Sequence, residues 1–245
     1  MARRAVAELV GTALLLVAVI GSGVAAEHLS PGDTGLQLLE NASATAAALV
    51  AIILAVGPVS GAHLNPAVTL CDRVLGGVDT ATAAVYVAAQ VVGACLGAVL
   101  ANLMFDLPAV EWSTTERSGS HLWLGEVVAT FGLLLVVFGV VRSGRSGAAP
   151  FAVGAYIGGA YFFTSSTSFA NPAVTLARTL SDSFAGIDPG SVAAFVLAQL
   201  VGAALGLAVV RMLYPDIERA APDVVVPHAS DDGGQRRPRL PSRSA

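Results

Sequence analysis

Charge is scarce in this chain of 245 residues: Asp, Glu, Lys and Arg together make up 12%, against 55% hydrophobic residues and a mean hydropathy of +0.72. A soluble domain carries roughly 25% charged residues, so the composition excludes a water-soluble globular protein and points to a bilayer. Cysteine is scarce as well. Cys71 and Cys95 both fall in apolar stretches, and two isolated thiols support neither a disulfide framework nor a metal site. Lysine is absent altogether, so any asymmetry of positive charge rests on arginine.

What the chain has in abundance is long uncharged runs. No Asp, Glu or Arg lies between Glu40 and Asp72, between Arg145 and Arg178, or between Asp188 and Arg211. A helix needs roughly 20 apolar residues to cross a hydrocarbon core of ~30 Å. That length predicts six transmembrane helices, near 5–26, 41–57, 81–104, 122–142, 149–166 and 190–213. The first run is too long for a cleaved signal segment and is read as a membrane span. Two shorter helices are predicted near 66–76 and 172–182, each opening on Asn-Pro after a segment rich in Gly, Ser and Thr. They are too short to cross, which makes them half-membrane re-entrant helices. Irregular backbone at membrane depth is tolerated only where protein or a wet cavity covers it, so both loops are expected to line the middle of the molecule.

The chain repeats itself. NPAVTL occurs at 65–70 and at 171–176, AELVGT at 7–12 answers GEVVAT at 125–130, and AQVVGACLGA at 89–98 answers AQLVGAALGL at 198–207, with offsets of 106, 118 and 109. Anchors in the same order define two homologous halves, about 5–104 and 122–213. Three spans per half is odd, so the second half enters the membrane in the opposite sense. The predicted fold is an all-α membrane protein of six transmembrane helices plus two half-membrane re-entrant helices in an inverted repeat, with its site near the midplane. This channel domain covers 1–214. Residues 215–245 are polar, rich in Pro, Asp, Arg and Ser, and predicted to be a disordered cytoplasmic tail; RRPRLPSR at 236–243 is read as solvated within it.

Arginine placement sets the orientation. Arg3 and Arg4 precede the first span, Arg73 follows the first half-helix, Arg142 and Arg145 separate the fourth and fifth spans, and Arg211 and the tail arginines follow the last. The positive-inside rule makes those segments cytoplasmic, with both termini inside a plasma or inner membrane. The opposite side carries Arg117 alone in loops otherwise acidic or polar, and Arg178 at the far end of the second half-helix.

Asn is a preferred helix N-cap, and Pro suits the first helical position because its missing N–H has no partner to lose there. If each Asn side-chain oxygen caps its own helix, its amide nitrogen keeps donors to point elsewhere. Asn65 and Asn171 then present paired donors where two half-helix N-termini abut. Those termini carry partial positive charge, which suits the oxygen of a neutral solute and raises the energy of a cation. The arrangement reads as a filter for neutral polar molecules.

SGAHLNPAVTL at 60–70 and FANPAVTL at 169–176 closely resemble the two signatures of the major intrinsic protein family, the aquaporins and aquaglyceroporins, and the resemblance extends from residue 5 to about 214. It implies a right-handed bundle, one pore per protomer, a homotetramer in membrane lipid, and passive transport with no enzymatic activity, cofactor, metal or nucleic-acid partner. It assigns Asn65, Pro66, Ala67, Asn171, Pro172 and Ala173 to the pore motifs. Glu8 and Glu126, at equivalent places in the repeat, are costly in a membrane unless partnered; the resemblance has them accept hydrogen bonds from the loop backbones. His63 looks like the family's loop histidine facing the cytoplasmic vestibule. Gln90 and Gln199 are symmetric candidates for interhelical bonds, and Gly93, Gly97, Gly202 and Gly206 form small-residue stripes suited to close packing.

Selectivity departs from the family pattern. Water-selective members have an aromatic residue, a histidine, a small residue and an arginine at the constriction. The family spacing puts Thr45, Gly159, Ser168 and Val174 there, with Val174 in the arginine's place. None of these is aromatic or cationic, so the resemblance implies a wider, less polar constriction lacking one fixed charge, as in bacterial members with an apolar residue replacing the arginine. Arg178, one turn beyond Val174, either compensates or pairs with Asp182. The expected cargo is water or small neutral solutes such as glycerol, urea or uncharged metalloid acids. A narrow water-selective pore is the alternative within the class. Outside it stands an ion-coupled secondary transporter, which inverted repeats also build and which would use Glu8 and Glu126 as ion carriers.

Overall fold

The computed structural model describes residues 1–142 and 144–215. The expected tail, apart from Pro215, lies outside the described residues. Eight α-helices run in chain order: α1 (Ala2–Leu29), α2 (Thr34–Ser60), α3 (Pro66–Leu75), α4 (Thr80–Met104), α5 (Ser120–Arg142), α6 (Ala149–Phe163), α7 (Pro172–Ala177) and α8 (Val192–Leu213). The fold is the expected six spans and two half-helices, and α1–α4 and α5–α8 are its two halves.

Boundaries move where polar side chains make the helix ends. α2 begins at Thr34, well before the predicted residue 41, because Asp33 accepts from the Leu36 N–H at 3.0 Å and caps it. Glu40, which bounded the uncharged run, is absorbed by Ser30, whose Oγ donates to it at 2.8 Å. α2 ends on Gly61 at φ +89°, a left-handed C-cap open to glycine. α6 stops at Phe163, short of 166, when Thr164 turns extended at ψ 141°. Its 15 residues give ~22 Å of helix, less than a membrane core; the 3₁₀ turn Ser146–Ala148 before it lengthens it. The other five spans are each long and apolar enough to cross alone. α7 ends at Ala177 and continues only as the 3₁₀ turn Arg178–Leu180, so the predicted helix to 182 is shorter than expected.

The halves pack alike. α1 lies along α4 and α5 along α8, α2 meets α6 across the halves, and each half-helix packs against the last span of the other half, α3 on α8 and α7 on α4. The close approach within each half comes from glycine. A Cβ at Gly93 or Gly97 would fall inside 3.0 Å of the Leu9 or Ala13 carbonyl, and one at Gly202 inside 3.0 Å of the Val127 carbonyl. Leu9 and Val127 are themselves 118 apart, the offset of the AELVGT and GEVVAT anchors, so one helix crossing is used twice. Between the two half-helices this architecture leaves an axial cavity.

Candidate functional site

The two loops that precede α3 and α7 are built to the same plan. Ala62 and Leu64 adopt φ +50°, and their counterparts 106 residues on, Ser168 and Ala170, adopt φ +53° and +49°. Left-handed backbone costs a non-glycine residue ~1–2 kcal/mol, so something must hold it. Glu8 does so in the first half. Fully buried, it accepts from the His63 N–H at 3.0 Å, the Leu64 N–H at 2.7 Å, Ser60 Oγ at 2.6 Å and Gln90 Nε2 at 2.7 Å. Glu126, also fully buried, accepts from the Phe169 and Ala170 N–H groups, both at 2.9 Å, and from Gln199 Nε2 at 2.6 Å. Gln90 and Gln199 then donate to Thr69 and Thr175 on the half-helices. These loop carboxylates are held inside the wall and do not reach the cavity.

At the centre the asparagines cap their own helices and cross-link the halves. Asn65 Oδ1 accepts from the Ala67 N–H at 2.8 Å, while Asn171 Oδ1 accepts from Ala173 at 3.0 Å and Val174 at 3.3 Å. Asn65 Nδ2 donates to the Ala170 carbonyl and Asn171 Nδ2 to the Leu64 carbonyl, each at 2.8 Å. An amide has two N–H groups, so each asparagine spends one on the opposite loop and keeps one for the cavity that both line. Pro66 and Pro172 take the first helical positions and Ala67 and Ala173 the second.

One wall of the cavity is apolar: Leu15, Val19, Leu49 and Ile53 from the first half, Leu133, Val137, Val153 and Ile157 from the second. The spacing of the repeat relates Leu15 to Leu133 and Val19 to Val137, a signal the sequence held and motif reading passed over. The opposite wall is the loop backbone, with Val68 and Val174 just beyond the asparagines.

The two ends differ. His63 lines one end, with Nδ1 3.1 Å from Thr69 Oγ1, Nε2 3.5 Å from the buried Asp72 carboxylate, and an edge contact to Tyr86. Thr45, Tyr161, Ser168, Val174 and Arg178 all line the cavity on the side of the second loop. Tyr161 Oη donates to Thr45 Oγ1 at 3.3 Å.

Two expectations are corrected there. Gly159 is exposed on the outward face of α6, where a Cβ would meet only the exposed Phe163 ring. α6 keeps helical phase through Val153, Ile157 and Tyr161, each one turn apart, and a residue two positions from Ile157 points away. Tyr161, not Gly159, is the residue of that stretch that lines the cavity. Nor does Arg178 pair with Asp182, which instead accepts from the Thr114 N–H at 2.9 Å and from its Oγ1. Arg178 is 2% exposed and lies over the Phe169 ring with Cζ 3.5 Å from its centroid, its Nε donating to the Ala185 carbonyl.

Fold and site together define a membrane channel of the inverted-repeat, two-half-helix kind. The family model for major intrinsic proteins matches residues 1–169 and 151–236, and the chain belongs to that family. It is 47% identical over 227 residues to aquaglyceroporin AqpS of Rhizobium meliloti, covering 91% of this chain and 97% of that protein. Aquaporin Z of Rhodopseudomonas palustris is 31% identical over 228 residues, covering 86% of this chain and 92% of that protein. Among solved structures, the aquaglyceroporin from Plasmodium falciparum shares the fold, with a TM-score of 0.70 at 23% identity, covering 89% of this chain and 99% of that one.

Proposed function

We propose that this protein is a homotetrameric channel of the inner membrane passing water and small neutral solutes, with aquaglyceroporin-like breadth: glycerol, urea and uncharged metalloid acids. The observation that carries the reading is the cavity itself, apolar along one wall and lined on the other by Asn65, Asn171, Val68 and Val174. A solute of mixed character suits it. Hydroxyl or amide oxygens take the asparagine N–H groups while the carbon face slides on the Leu and Val side chains. An ion finds no oxygen cage there to replace its hydration shell.

The filter set is Ser168 from the second loop, Val174 from α7 and Thr45 from α2, completed by Tyr161. Valine at 174 ends at its γ-carbons, leaving the lumen wider at that level than an arginine would. Glu8 and Glu126 support loops, and His63 faces the inner vestibule. With both carboxylates occupied by backbone N–H groups, the ion-coupled transporter loses its carriers.

Orientation follows the arginines: inside lie both termini, the α3 to α4 turn and the α5 to α6 link. The C-terminal end of α8 reaches that same face, where Arg211 Nη2 donates to the Val74 carbonyl at the end of α3 at 3.2 Å. The segment from 215 onward is then a cytoplasmic tail.

Stopped-flow light scattering of proteoliposomes holding the full chain tests the reading. Rapid shrinkage followed by reswelling in a glycerol or urea gradient is expected. Val174→Arg is expected to cut the reswelling rate while water flux changes little. Water flux without solute entry in the unmodified protein would favour the narrow, water-selective alternative.

A further inference from the structure

Superposing the two signatures by their offset of 106 places Arg178 in the slot occupied in the first half by Asp72. Both residues are 2% exposed, and both side chains reach back to the loop residue two before the asparagine. Asp72 meets His63 at 3.5 Å, and Arg178 meets the Phe169 ring, also at 3.5 Å. The slot one turn beyond the valine thus points inward toward the loop in both halves, and its charge is opposite at the two ends of the molecule.

At the second end the guanidinium sits in a socket made for it. Arg178 Nε donates to the Ala185 carbonyl, while Arg117 clasps the same stretch of backbone from the other side, its Nε donating to Gly186 O at 2.8 Å and its Nη2 to Phe184 O at 3.3 Å. Arg117 also stands over Phe169, 5.0 Å from its centroid. Arg178 Nη nitrogens have no hydrogen-bond partner among the described residues, and neither does the buried Ser168 Oγ beside the same cavity. A nearly buried cation with idle donors, lining a cavity, is placed for what passes through.

We infer that Arg178 is the fixed cation of this pore, moved one helical turn outward from the position after the second NPA and re-seated on the Phe169 ring and the Ala185 carbonyl, where it repels cations and lends donors to solute oxygens. Val174 keeps the lumen wide while Arg178, lying flat on a ring, supplies charge without filling it. Breadth for neutral solutes and refusal of ions are thereby separated onto two residues. Phe169 and Arg117 are positioning residues in this scheme.

The inference rests on the channel reading, and its test separates the two. Full-length protein in proteoliposomes is assayed for glycerol-driven reswelling and, on the same vesicles, for potential-driven entry of sodium and of protons. Unmodified protein is expected to pass glycerol and hold both cations out; absent glycerol flux would overturn the channel reading instead. Arg178→Gln keeps a donor for the Ala185 carbonyl but removes the charge, and cation entry is expected to rise ~10-fold or more, because a unit charge beside the path is worth more than the ~1.4 kcal/mol that makes a factor of ten. Arg178→Lys should stay tight to cations, and adding Val174→Arg to Arg178→Gln should restore tightness while slowing glycerol. Equal cation entry in the Gln and Lys variants, whether both tight or both leaky, overturns the inference. So does failure of both to insert, which would make Arg178 a residue of the fold alone.

Discussion

Two carboxylates hold backbone that would otherwise not stay in place. Glu8 and Glu126 offer acceptors only, and each takes a pair of consecutive N–H groups from a loop that holds left-handed residues. Glutamine at either position turns one acceptor into a donor facing donors, leaving a buried N–H unpaired at ~1–3 kcal/mol. Glu126→Gln is therefore expected to lower the melting temperature in detergent and to abolish water flux, with Glu8→Gln costing more because four groups, not three, converge on it. Retained flux at an unchanged melting temperature in both variants would dissociate the carboxylates from the loops. Their role was legible in the sequence because each sits at one fixed offset in a repeat and a buried carboxylate needs partners. The filter position on α6 was less so. Counting back from Asn171 crosses residues 164–170, whose backbone is not helical, and the count of twelve lands on Gly159, on the wrong face; the phase of Val153 and Ile157 within α6 leads to Tyr161. Tyr161→Ala is accordingly expected to speed entry of polyols larger than glycerol, measured by reswelling rate, and Gly159→Leu to leave every rate unchanged.

Among the helices, the glycine stripes set how near α4 comes to α1 and α8 to α5. The contacts made by Gly93, Gly97 and Gly202 are backbone to backbone, so an added methyl has nothing flexible to displace. Gly206 differs: a Cβ there would stand 3.1 Å from Leu134 Cβ and from the Phe131 carbonyl, tight but short of collision. Alanine at 93, 97 or 202 is expected to destabilise the bundle by ~1–3 kcal/mol, the usual cost of overpacking, and at 206 by clearly less. Thermal unfolding in detergent, read as the melting temperature of each variant, checks the ranking, and a Gly206→Ala loss equal to the others would refute it. That glycines pack helices was plain from the small-residue spacing alone. Which of four equivalent glycines carries the closest contact was not, because a carbonyl lies opposite each and only its distance, inside 3.0 Å at Gly97 against 3.1 Å at Gly206, tells them apart. Helix ends were likewise set by single polar groups, Asp33 for α2 and Thr164 for α6, that hydropathy does not weigh.

For the molecule as a whole, the decisive sequence feature was odd symmetry: three spans per half force the second half to invert, and every later element follows from that. α3 and α7 each pack on both α4 and α8, so each half-helix is clamped between the last spans of the two halves. The asparagines are bonded across the same seam. Such a centre is one rigid unit, whereas a transporter that alternates access must rock one repeat against the other around its site. Breaking the seam would cost both Asn-to-carbonyl hydrogen bonds, between loops that already hold five left-handed residues, Ala62, Leu64, Thr167, Ser168 and Ala170. The protein is therefore expected to conduct with its centre fixed, which has kinetic consequences. Net glycerol entry should rise linearly with the gradient to high concentration, run equally fast in both directions through randomly inserted or right-side-out protein, and ignore imposed proton or sodium gradients. Radiolabelled glycerol flux into and out of proteoliposomes across a range of concentrations measures all three. Saturation together with acceleration by a cation gradient would require a moving centre, which the paired bonds between Asn65, Ala170, Asn171 and Leu64 oppose.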